Sequence, residues 1–131
     1  MLRIQSPLPD DLEVLAHDVI GCCLRVHREL GPGLLEIIYA RAVVLELTAC
    51  KIPFETEKAI PVHYKNELLC HQRVDLFVGG RLVLELKSVE RLNSIHVAQV
   101  LSFLRVADVR LGLLINFNVP VLKTCIRRVI L

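Results

Sequence analysis

The sequence predicts an α/β fold, a mixed sheet flanked by helices, and three observations predict it. Up to Ala49 the apolar residues recur at helical spacing. After Pro53 they alternate with polar ones, the period of a half-buried strand. Then "NSIHVAQVLSFLRV" (93–106) returns to helical spacing and is followed by the near-continuous apolar run "RLGLLINF" (110–117). A strand, a helix and a strand covered on both faces form a crossover unit, expected to be parallel.

Each element has its own reason. From Asp10, residues Leu12, Leu15, Ala16, Val19, Ile20, Cys23, Val26 and Leu30 make one buried helical stripe. Asp10 or Asp11 can cap its start, and "GPG" (31–33) ends it, because Pro32 cannot continue a helix and glycine supplies the left-handed cap. A second helix is expected from about Leu34 to Ala49. It is apolar nearly all round, which predicts that it lies deep. "FETEKAIPVHY" (54–64) and "LLCHQRVDLFV" (68–78) read as strands joined by a turn at "KNE" (65–67). "RLVLELK" (81–87) is the third strand, and Asn93 or Ser94 can cap the third helix. "TCIRRVIL" (124–131) can add a last strand.

A chain of 131 residues without repeat or linker reads as a single domain, 1–131. With 53% hydrophobic residues it can fill one core; with 5% aromatics and no Trp that core is aliphatic. An aromatic stacking platform for single strands is thereby disfavoured. A formal charge of +2 argues against a strongly basic stand-alone DNA binder, though not against a local basic cleft. No apolar run approaches the roughly 20 residues of a membrane helix, and "MLRIQSPLPDDLE" lacks a signal-peptide core, so a cytoplasmic protein with no membrane partner is expected. The five cysteines contain no CxxC pair and read as reduced thiols; Cys70, His71 and His63 do not match a closed zinc site.

The hairpin "RVDLFVGGRLVLELKSVE" (73–90) carries charge where burial is expected. Glu85 and Lys87 share one strand face, and Leu82, Leu84 and Leu86 the other. A two-residue turn at Gly79-Gly80 would set Asp75 against Leu84, a carboxylate on the leucine face. A three-residue loop, Gly79 to Arg81, sets Asp75 against Glu85 and aligns Val74, Leu76 and Val78 with Leu86, Leu84 and Leu82. Only this register separates an apolar from a charged face, and it is the one expected. It brings two carboxylates within about 5 Å at Cβ. Such a pair repels unless one acid holds a proton or a divalent cation takes oxygen ligands from both. Mg²⁺ accepts one or two carboxylates plus waters and phosphate, and Lys87 on the same face can orient a metal-bound water or neutralise phosphate charge. The plainer reading is a solvated hairpin face with Glu85–Lys87 as a surface pair.

Two further features bear on that choice. Glu36 stands in the apolar "GLLEIIY" (33–39), with Tyr39 and Val43 on its helical face; it either needs a partner or simply enjoys a helix N-terminus. His96, Gln99 and Phe103 share a face of the third helix, from which Gln99 can reach the end of the "ELK" strand or remain an ordinary edge residue.

Gly33-Leu34-Leu35-Glu36-Ile37-Ile38-Tyr39 resembles the signature of the GxxExxY protein family, placed in the PD-(D/E)XK nuclease-like superfamily. "VHRELGPGLLE", "RVDLFV", "LVLELKSVE", "HVAQVLSFLR" and "LGLLINFNVP" resemble family segments in the same order, from about Asp10 to Leu131. The resemblance implies a restriction-endonuclease-like αβββαβ core. It implies catalytic roles for Glu36, Asp75, Glu85, Lys87 and Gln99. It also implies Mg²⁺ (or Mn²⁺) held by Asp75, Glu85, the Leu86 backbone carbonyl and Glu36. Phe103 stands where a Tyr-Leu pair is usual after the Gln, which removes a hydroxyl contact. His27 and Arg73 are candidate substrate contacts; the alternatives are a His27 bonded to backbone near the GPG turn and an Arg73 paired with the carboxylates.

The resulting expectation is a metal-dependent nuclease acting on DNA, with RNA the lesser candidate, and with a homodimer or partner protein supplying specificity. The alternatives are a non-catalytic interaction module of the same fold, favoured by the lack of a DNA-reading element, and a hydrolase of small phosphate substrates. For the last, no phosphate-cradling glycine loop is present.

Overall fold

The computed structural model describes residues 6–131. Helix α1 spans Asp10–Leu30 and α2 Glu36–Ala49. Strands β1 (Phe54–Tyr64), β2 (Glu67–Val78) and β3 (Leu82–Lys87) follow, then α3 (Ser94–Ala107), β4 (Leu111–Asn116), a 3-10 turn and β5 (Ile126–Ile130). The five strands form one sheet in chain order, antiparallel except for the parallel pair β3–β4, as a crossover through α3 requires. The expected mixed α/β sheet with flanking helices is what the chain forms.

Two aliphatic layers sandwich the sheet. Leu82, Leu84 and Leu86 of β3 pack with Leu12, Val19 and Val26 of α1 and Val43 and Leu47 of α2. On the opposite face Val83 packs with Leu114 of β4 and with Val100 and Leu104 of α3. All six residues of β4 are buried, the both-faces-covered strand read from its apolar run.

Local chemistry departs from expectation in three places. Pro9, not Asp10 or Asp11, is the α1 N-cap; Asp11 accepts from the Leu12 N–H (3.0 Å) and from the Arg81 guanidinium of the β2–β3 loop instead. The β1–β2 turn is tighter than "KNE": Lys65 and Asn66, both with positive φ, make it alone, and Glu67 starts β2. Helix α2 does not lie deep. Only Tyr39, Val43 and Leu47 are buried, while Leu45 is 72% and Ile37 56% exposed. α1 already covers much of the sheet face that α2 shares, so α2 buries a single stripe and leaves the rest of its apolar surface to solvent.

The β2–β3 loop is the three-residue form. Val78 pairs with Leu82, Phe77 with Val83 and Leu76 with Leu84. Gly79 and Gly80 both have positive φ, and a Cβ at Gly79 would stand 3.0 Å from Leu15 Cδ2, so glycine satisfies both backbone and packing there. The apolar alignment fails at its last position. Val74 packs with Val83 and Leu114 on the α3 side, not with Leu86. The cause is a bend. β1–β2 pairing runs from Thr56↔Leu76 to Lys58↔Val74 and skips Glu57 and Asp75, and Glu57 has φ +47°. One residue outside the extended region reverses the side-chain alternation of the pair, so the hairpin beyond it curls over α3.

Candidate active site

The bend delivers Asp75 to the point where β2 parts from β3. The next pair in register, Asp75 with Glu85, makes no ladder bonds; side chains replace them. The Asp75 N–H donates to Glu85 Oε1 (2.8 Å), and the Leu86 N–H donates to Asp75 Oδ2 (2.9 Å). Each carboxylate thus caps the backbone of the other strand and holds the fork open. Glu85 is 6% exposed. Burial, then the Asp75 charge, pushes its carboxyl up to about 8, while the Asp75 N–H and the Lys87 ammonium pull the other way. A side-chain hydrogen bond with Asp75 adds to the rise of Glu85.

Lys87 lies two residues on along β3, half-buried, with its charge acting on Glu85 and also on Glu36. Glu36 opens α2 at its N-terminus. Desolvation raises its pKa, with Asp75 adding to the rise, while Lys87 and His96 oppose it. Four of the five expected catalytic residues, Glu36, Asp75, Glu85 and Lys87, are therefore electrostatic neighbours. Gln99, exposed on α3, lines one groove with Asp75, Glu85, Lys87 and Arg73. Arg73 reaches Glu57 only at 3.8 Å, and its side chain is 73% exposed, so the guanidinium is available to a ligand.

His27 is not in that groove. Its Nε2 bonds the Val119 carbonyl (2.7 Å) and its ring lies 6.3 Å from Phe117. It is the backbone-bonded histidine of the plainer reading, joined to the segment after β4 rather than to the GPG turn.

Sequence reasoning missed the clamps that aim Glu36. The Ser88 hydroxyl, just past β3, donates to the Leu34 carbonyl (2.6 Å). The Tyr39 hydroxyl accepts from the Leu34 N–H (3.1 Å) and donates to the Gly31 carbonyl, and its ring stacks on Phe117 at 4.5 Å. Buried Asn116 bonds both the N–H and the carbonyl of Val89, fixing the chain that leaves Lys87. Only Tyr39 had a signal, its place on the Glu36 face. His96 closes the α3 capping box with Asn93 and is near enough for its charge to lower Glu36.

Among the described residues no three His, Cys, Asp or Glu side chains are gathered closely enough to hold a metal ion by themselves. The donor chemistry still fits a hard cation that keeps waters, since such an ion needs only one or two carboxylates. A cation beside Asp75 and Glu85 would offset the burial cost and the Asp75 repulsion that together raise Glu85.

A model of the PD-(D/E)XK nuclease superfamily matches residues 13–129. The chain belongs to that superfamily. No curated protein and no solved structure matches the chain closely enough to compare. Among the described residues no helix is long and apolar enough to cross a membrane.

Proposed function

We propose that this chain is a metal-dependent nuclease of the GxxExxY type, hydrolysing phosphodiester bonds in DNA, with RNA the lesser substrate, in the cytoplasm. The observation that carries the reading is the interlocked pair of Asp75 and Glu85 beside Lys87. Two acids interlocked in a groove, one of them buried, are poorly explained by stability, because burying like charges costs free energy. Asp75, Glu85, the Leu86 carbonyl and Glu36 would hold Mg²⁺ or Mn²⁺, which supplies Lewis acidity and a bound water of lowered pKa.

The chain's own residues do the rest. Lys87 Nζ orients the attacking water and offsets charge gathering on the phosphate. Gln99 hydrogen-bonds a non-bridging oxygen or the water, and Arg73 takes a neighbouring phosphate. When Glu36 is not on the ion, its carboxyl, raised by desolvation, can instead accept the proton the water loses. Sequence preference would come from a second copy or a partner protein.

The test is nicking of supercoiled plasmid with Mg²⁺ or Mn²⁺, comparing wild type with Lys87→Ala. Wild type should nick only with metal, and Lys87→Ala should lose about 10²-fold or more with an unchanged circular-dichroism spectrum. Equal nicking by both would remove Lys87 from the mechanism. No nicking by wild type, despite metal binding, would favour a small phosphate substrate or an absent partner.

A further inference from the structure

Asp75 stands where two grooves meet. One is the polar groove of Lys87, Gln99 and Arg73, about 550 Å³. The other, about 800 Å³, runs between α2 and the β1–β2 bend, with Ile37, Ala40, Val44, Leu45 and Leu76 along its walls. We propose that this second groove is a nucleobase subsite, so that the strand bound at the acids is unpaired beside the bound phosphate. The proposal rests on the nuclease reading and narrows its substrate to single-stranded or locally opened nucleic acid.

The two grooves differ as the two parts of a nucleotide differ. The polar groove offers cations and amides to phosphate. The second offers aliphatic surface, and the carboxylates of Glu36 and Glu57 on its rim repel a phosphate but not a base. Its volume lies in the range of small-ligand sites. Leu45 and Ile37 are more than half exposed, and a flat ring laid on them would remove that surface from water. Thr56 supplies a hydroxyl that donates or accepts at a base edge. Arg41, also on the groove, has no ion-pair partner among the described residues and suits the next phosphate along. A base stacked inside a duplex cannot reach this wall while its phosphate lies at Asp75; it must leave the stack first. Because the walls are aliphatic, the grip is by area, and little discrimination among bases is expected.

The test is fluorescence anisotropy with a short thymidine oligonucleotide, the same backbone with abasic sites, and a matched duplex, all in Ca²⁺ to hold turnover down. Variants are Leu45→Glu and, as a control, Val14→Glu, an exposed α1 position (60%) outside the groove. Wild type and Val14→Glu should bind thymidine at least about 5-fold more tightly than the abasic strand and than duplex, as about 40 Å² of apolar area buried would give, and Leu45→Glu should lose that preference. Equal binding of thymidine and abasic strands, or an undiminished preference in Leu45→Glu, overturns the subsite; metal-dependent nicking that persists would leave the nuclease reading standing. No binding of any strand overturns both. A wild-type dimer that Leu45→Glu dissociates, with base preference unchanged, would show that a second copy covers the groove.

Discussion

Replacing Glu85 by Gln should make the metal-free protein more stable, by an amount that grows with pH. Glu85 has a folded-state pKa of about 8 against 4.5 for the free side chain. Below about pH 4.5 the acid is neutral in both states and its folded-state contribution is fully present. As pH rises through 4.5 to 8 the unfolded chain ionises while the fork retains its proton, and that contribution is lost. At pH 7 the ceiling on the loss is about 3 kcal/mol, at about 1.4 kcal/mol per pH unit above the free-acid value. Water in the groove screens the charges, so about 1–2 kcal/mol is expected. Gln mimics the protonated acid: its carbonyl can still accept from the Asp75 N–H, and its amide can donate to the Asp75 carboxylate. Urea unfolding in EDTA at pH 5 and pH 8 reads the effect. The gap in favour of Glu85→Gln should be small at pH 5 and wider by about 1 kcal/mol or more at pH 8. A variant less stable than wild type at pH 8, or a gap that ignores pH, would refute the raised Glu85 carboxyl. The same variant should lose metal-dependent nicking, a gain of stability at the expense of activity.

Other consequences concern the frame around the site. A Cβ at Gly112 would stand 2.5 Å from Val100 Cγ1 and 3.3 Å from Leu104 Cδ2, so Gly112→Ala should cost about 1–3 kcal/mol in chemical denaturation. Combined with Val100→Ala, which vacates that volume, it should cost less than the two single losses together; strict additivity would contradict the close approach. Tyr39→Phe keeps the ring on Phe117 but strands the Leu34 N–H and the Gly31 carbonyl, for a loss of about 1–2 kcal/mol. Because Leu34 lies two residues before Glu36, nicking should fall as well; full activity in a destabilised Tyr39→Phe would separate that clamp from the site.

Much of this arrangement was legible in the residues. Pro53 marked where helical spacing gives way to alternation, and the crossover to a parallel β4 followed from one apolar run after one helix. The register at Gly79–Arg81 followed from asking which pairing keeps leucines together, and that question placed Asp75 beside Glu85. The same logic failed one position later. It assumed extended backbone throughout, and nothing about a glutamate announces that Glu57 adopts φ +47° and turns Val74 to the other face. The exposure of α2 was hidden for a related reason. A helix apolar on every side carries no amphipathic stripe, so its sequence cannot say which side meets the sheet and which is left open. The clamps through Ser88 and Asn116 join residues far apart in the chain, and their polar side chains read locally as ordinary loop and strand-end residues.

The most direct test of the account is isothermal titration of Mg²⁺ and Mn²⁺ into wild type and Asp75→Asn. Asp75→Asn keeps an oxygen that can accept from the Leu86 N–H, so the fork should stay folded while one negative charge is removed. The account predicts saturable metal binding by wild type, with proton release as the Glu85 proton is displaced, and loss of both in Asp75→Asn. Equal metal binding by both proteins, or none by wild type, would leave Asp75, Glu85 and Lys87 as a structural charge cluster and contradict the assignment of a metal-dependent site.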